Sequence, residues 1–141
     1  MERPSHKELA GKLKTAGALL ESGRWAAGDP AGLAANFTEM DLFFGDKQQA
    51  ALRGALAELR PEDYHGKRPP ERSYKPVTKG AEMFAFSWES KRFGKKMYLK
   101  FALVGAGAGQ TMYVYSFHAS RERTGVAKQA CKEKRPKFQA R

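Results

Sequence analysis

The chain has 141 residues, enough for one domain with a modest core, and 41% of them are hydrophobic, which argues against wholesale disorder. No apolar run approaches the roughly 20 residues of a membrane span, and Met1–Lys7 leads into an amphipathic pattern rather than the apolar core of a signal peptide. Cys131 is the lone cysteine and has no internal disulfide partner, so a cytoplasmic protein is expected.

The net charge of +11 is unevenly spread. Residues 1–60 carry eight Lys/Arg and eight Asp/Glu, whereas residues 61–141 carry eighteen against seven. A neutral first part and a basic second part point to a polyanion-facing surface. Nucleic acid is the first candidate, an acidic protein the second and an anionic membrane the third. Ordinary solvated charge is the plainer alternative.

The neutral part reads as helical scaffold. Ser5 and Glu8 have capping-box spacing, and Leu9, Leu13, Ala16/Gly17 and Leu20 follow on one helical face, with Gly23 as the stop. Asp29-Pro30 starts a second helix carrying Leu33, Phe37 and Met40. Asp46 starts a third, with Leu52, Leu56 and Leu59 on its stripe. These stripes predict core.

From Arg60 to Pro70, three prolines and a glycine exclude a helix or central strand and predict a loop over the sheet. It carries His65, Lys67, Arg68, Arg72 and Lys75 onward, either as a phosphate clamp or as a solvated connector. Three strands are expected next, over 82–90, 96–104 and 110–119, from their period-two alternation. Their links, 91–95 and 105–109, are short and glycine-containing, so an antiparallel meander is predicted. Gly105–Gly109 lacks the Lys and Ser/Thr of a phosphate loop and reads as a hairpin turn.

Alternation puts Phe84, Phe86 and Trp88 on one face of the first strand, Met97, Leu99, Phe101 and Leu103 on one face of the second, and Tyr113, Tyr115 and Phe117 on one face of the third. With these aromatic-rich faces inward, Ser87, Glu89, Tyr98, Lys100, Ser116 and His118 share the opposite face near one edge. One bulge would change that parity. The expected fold is α+β, with N-terminal helices on one face of an antiparallel sheet. Residues 1–120 form the domain, 1–60 helical and 61–120 loop and sheet. Residues 121–141, with eight Lys/Arg and two Glu, form a basic tail, either a nucleic-acid-binding element or a solubilising extension.

The chemistry such a face can support is internal transesterification of RNA. A Glu and a His supply base and acid, and cations hold the phosphate. The expected catalytic set is Glu89, His118, Tyr98 and Lys100. The expected RNA-binding set is Lys67, His65, Arg68, Arg92, Lys95, Lys96 and Arg121. The three histidines and one cysteine show no zinc spacing, and neither a metal nor another cofactor is expected.

Pro61-Glu62-Asp63-Tyr64 after a Leu-rich helix, Trp88-Glu89, Met97-Tyr98-Leu99-Lys100 and Ser116-Phe117-His118 together resemble the MqsR-type messenger-RNA interferases. These are toxins of bacterial toxin–antitoxin pairs with a RelE-like fold. The resemblance spans about residues 50–120. It implies a RelE/barnase-like ribonuclease architecture, RNA as substrate and an antitoxin partner; the lack of an apolar span separately gives no expectation of a membrane partner. Tyr98 falls on the family's functional tyrosine, Glu89 on a functional glutamine and His118 on a functional lysine. The family's loop lysine corresponds to Lys67 or His65. A Glu and a His in these places resemble the acid–base pair of the wider RelE-like and barnase-like enzymes. The runner-up is a non-catalytic nucleic-acid-binding or regulatory module using the same basic face.

Overall fold

The structure is a computed structural model that describes residues 3–120. Three helices, α1 (His6–Glu21), α2 (Pro30–Glu39) and α3 (Gly45–Glu58), pack with a five-stranded sheet. The strands are β1 (Trp25–Ala27), β2 (Glu71–Arg72), β3 (Glu82–Ser90), β4 (Lys95–Val104) and β5 (Thr111–Ala119), in spatial order β1-β5-β4-β3-β2. The protein is therefore α+β.

β3, β4 and β5 form the expected antiparallel meander. The sheet as a whole is mixed rather than antiparallel. Trp25–Ala27, between the first two helices, pairs in parallel with Met112–Val114 at one edge. Three residues are too few for a period-two signal, so only pairing with β5 makes this segment a strand. The loop after Arg60 also differs from expectation. It runs along the outer edge of β3, through a bridge from Tyr64 to Phe86 and the short β2, instead of crossing the sheet. Residues 73–80 then fold onto the face away from the helices, where the Ser73 and Thr78 hydroxyls meet the Tyr115 hydroxyl.

One core lies between the helices and the sheet. Leu9, Leu13, Leu20, Leu33, Phe37 and Leu52 meet Phe84, Phe86, Trp88, Met97, Leu99 and Phe101 there. The Phe86 and Phe101 rings stack at 5.9 Å, as alternation on β3 and β4 predicts. β5 departs from the expected alternation. Lys100 pairs with Ser116 but Phe101 pairs with Val114, so Tyr115 is an extra residue in a bulge. Before the bulge Met112 and Val114 face the core, and after it Phe117 does. Tyr113 and Tyr115, expected inside with the helices, lie on the other face. Ser116 and His118 stay on that face because the bulge precedes them.

At the start of α1 only half of the capping box forms. Ser5 accepts from the Glu8 N–H at 3.1 Å, but the Glu8 carboxylate takes Arg3 at 2.6 Å. A charge-assisted pair outcompetes the neutral N–H of the cap. Arg3 also bonds Glu82 and so ties the start of α1 to the start of β3. Those contacts hold the Glu82 carboxyl below its usual range, against the opposing effect of burial.

The other end of β3 is held by Glu58, the last residue of α3. Its carboxylate accepts from the Ser90 hydroxyl at 2.6 Å, the Trp88 indole at 2.9 Å and the N–H groups of Lys91 and Arg92 at 3.0 and 2.9 Å. Burial alone would raise this carboxyl, yet the four donors bring it down to about 2. Four donors on one carboxylate set the β3–β4 turn against α3. No sequence motif marks this residue.

Candidate functional site

The face of the sheet away from the helices carries the polar residues, and strand register sets their spacing. One cross-strand row is Ser87, Tyr98 and His118, and the next is Ala85, Lys100 and Ser116. In the first row the Tyr98 and His118 rings stack at 5.2 Å with planes 24° apart. Burial raises the Tyr98 phenol, and the Glu71 charge adds to the effect, so its hydroxyl remains protonated at neutral pH. His118 is buried, and its Nδ1 lies 2.7 Å from the Ala119 carbonyl. A carbonyl only accepts, so Nδ1 carries the proton in this contact. The Ser87 hydroxyl of the same row is buried without a hydrogen-bond partner among the described residues.

Lys100 is half-buried one step along β4 and makes no ion pair among the described residues. Beside it a cleft of about 210 Å³ opens between the 73–80 segment and the start of α2. Its walls include Asp29, Tyr74, Lys75, Met83 and Ser116. Asp29 also caps α2, accepting from the Gly32 N–H at 3.5 Å. Neither Asp29 nor Tyr74 stood out in the sequence as more than a helix cap or a loop residue.

The expected catalytic residues thus share one face, but not one contact. Tyr98, Lys100 and His118 are register neighbours. Glu89 is exposed and pairs with Lys96 in the row beyond Ser87, which puts its Cα about 12 Å from that of His118 across β4, from strand spacing and rise. Lys96 stands between them on the same face.

The expected RNA-binding residues divide. His65 and Lys67 are exposed along the β3 edge, with Lys67 3.9 Å from Glu71. Arg68 donates to the Pro4 carbonyl at 2.7 Å and lies over the Tyr64 ring, toward α1 rather than the polar face. Arg92 lies against α3, close enough that a side chain at Gly54 would strike its guanidinium stem. Lys95 is exposed at the turn opposite Ser90, with the parity of core-facing Met97. Arg121 lies outside the described residues. Arg68 and Arg92 are therefore not gathered with Tyr98, Lys100 and His118. Sequence gave their charge, whereas their direction follows from packing on Tyr64 and Gly54.

Among the described residues no three His, Cys, Asp or Glu side chains gather to hold a metal ion, and no helix is long and apolar enough to cross a membrane. Comparison with family models, with curated proteins and with solved structures gives no match.

Proposed function

We propose that the protein is a metal-independent endoribonuclease, an mRNA interferase toxin of RelE-like type that acts in the cytoplasm and is neutralised by an antitoxin. The observation that carries this reading is the stacked Tyr98–His118 pair with Lys100 in the adjacent row. An imidazole, a protonated phenol and an ammonium on neighbouring strands are the groups that phosphodiester cleavage uses. The order of the motifs around them, which resembles the MqsR-type interferases, supports the same reading.

In the proposed reaction Glu89 takes the proton of a 2′-hydroxyl, and that oxygen attacks the adjacent phosphorus. The bond from phosphorus to the 5′-oxygen breaks as His118, in its imidazolium form, gives the leaving oxygen a proton. The products are a 2′,3′-cyclic phosphate and a 5′-hydroxyl. Lys100 balances the charge that builds on the non-bridging oxygens, and the Tyr98 hydroxyl donates to one of them. Glu89, one row away, must lean toward the Tyr98–His118 row to reach the same phosphate.

The test is incubation of the purified protein with RNA in chelator, with the product ends mapped chemically. Cyclic phosphate and 5′-hydroxyl ends that disappear in His118→Ala and Glu89→Gln are expected. Binding without cleavage would replace this reading with that of a nucleic-acid-binding module. Loss in His118→Ala with full activity in Glu89→Gln would move the base to another group.

A further inference from the structure

The 73–80 segment is held unusually firmly for a surface loop. The Ser73 hydroxyl bonds the Thr78 hydroxyl at 2.8 Å, the Tyr115 hydroxyl at 3.0 Å and the Lys75 N–H at 3.1 Å, and Thr78 meets Tyr115 directly. Backbone bonds from Ser73 to Ala81 and from Gly80 to Ser73 close its base. Tyr74, on this pinned loop, is nevertheless 89% exposed. An exposed aromatic contributes nothing to the core, and on a pinned loop little backbone entropy is lost when a flat ligand stacks on it.

Across the cleft from the loop stands Asp29. Its carboxylate makes no ion pair among the described residues, although Lys75 and Lys100 line the same cleft. Its one hydrogen bond among the described residues, from the Gly32 N–H, is long at 3.5 Å. An ionised carboxylate only accepts hydrogen bonds, so the cleft combines an unfilled acceptor, an aromatic plate and two cations. Its volume of about 210 Å³ leaves room for one planar base.

We infer that this cleft binds the nucleobase next to the scissile phosphate, with Tyr74 stacking on its face and Asp29 accepting from its exocyclic amine. Lys100 lines the cleft and stands in the row next to Tyr98 and His118, about 7 Å along β4 from Tyr98, which is roughly one extended nucleotide. Lys75 takes the outer phosphate. Adenine, cytosine and guanine each present an amine to Asp29. Uracil presents carbonyl lone pairs around a single N–H and is disfavoured, so the cleft selects amino-bearing bases over uracil.

This inference rests on RNA being the ligand, and the test separates the two. Fluorescence anisotropy is measured with labelled 2′-O-methyl hexamers of cytidine, adenosine and uridine, which cannot be cleaved. The wild type is expected to bind the cytidine and adenosine hexamers about tenfold or more tighter than the uridine hexamer. Asp29→Asn keeps an equally good cap for α2, adds a donor, and is expected to erase that preference without altering the melt. Tyr74→Ala is expected to weaken all three hexamers roughly tenfold or more and to leave their ranking unchanged. Equal binding of the three hexamers by the wild type, or an unchanged ranking in Asp29→Asn, overturns the base pocket and leaves RNA as ligand intact. A wild type that binds none of them overturns both.

Discussion

Tyr98 and His118 stack across β4 and β5, with ring centroids 5.2 Å apart, and two residue pairs, Leu99–Phe117 and Lys100–Ser116, separate them from the bulge at Tyr115. The bulge lets Tyr115 turn to the polar face without carrying His118 to the core. The row therefore joins a ring contact to the two polar groups.

Substitution at Tyr98 separates those contributions. Tyr98→Phe keeps the stacked ring and removes the hydroxyl, whereas Tyr98→Ala removes both. RNA cleavage is expected to fall about tenfold in Tyr98→Phe and by roughly 10²–10⁴-fold in His118→Ala, the range of a lost general acid. Tyr98→Ala should lie between them. Initial rates on one defined RNA check the ranking, and equal losses in Tyr98→Phe and Tyr98→Ala would show that stacking has no part.

The Tyr98 phenol should also ionise late. Burial raises it above the ordinary value of about 10, so in an ultraviolet titration it is expected to lag the exposed tyrosines. The late-ionising share should shrink in Tyr98→Phe to that of Tyr64, whose phenol burial also raises. Because the unfolded phenol ionises first, the contribution of the protonated Tyr98 to stability is full below about pH 10 and is lost as pH rises through the folded value.

Glu58 predicts the acid limb of the stability curve. Its folded carboxyl titrates at about 2, against 4.5 unfolded. The unfolded state therefore binds the proton first as pH falls, and the stabilisation is complete above about pH 4.5 and is lost on the way down to about 2. Glu58→Gln is expected to lower stability at pH 7 by about 2 kcal/mol and to flatten the profile between those values. Urea denaturation at several pH values measures both. A parallel downward shift at every pH would remove the carboxylate from the account.

Gly28 lies where the Tyr115 ring passes closest to the backbone, and a Cβ there would come within 2.8 Å of the ring. The ring cannot retreat, because its hydroxyl is held by Ser73 and Thr78. Gly28→Ala is expected to destabilise by about 1–3 kcal/mol, as overpacking does. Denaturant midpoints test this, and an unchanged midpoint would mean that the 73–80 segment yields.

Asn36 replaces a missing strand. Beyond Ala27 the edge of β5 has no β1 partner, and the buried Asn36 side chain accepts from the Phe117 N–H at 3.0 Å. Asn36→Leu would leave that N–H buried and unpaired, at a cost of about 1–3 kcal/mol. Amide exchange at Phe117 is expected to quicken far more than at Leu99, and uniform quickening would point to global loosening instead.

What the sequence by itself determined is what depends on near neighbours. Helix caps at Ser5 and Asp29, the apolar stripes, the three long strands and the two hairpin links follow from spacing over a few residues. So does the shared face of Tyr98 and Lys100, which lie two apart on one strand. Tertiary structure decided everything that depends on a partner distant in the chain. The three-residue β1 exists through β5, and the Tyr115 bulge reverses the expected inside of Tyr113 and Tyr115. Glu58 finds its donors about thirty positions away, and Arg68 and Arg92 turn toward the helices because Tyr64 and Gly54 receive them. Charge and alternation are written along the chain. The direction of a long side chain, and the bulge that resets a strand's faces, are set only when separate segments pack.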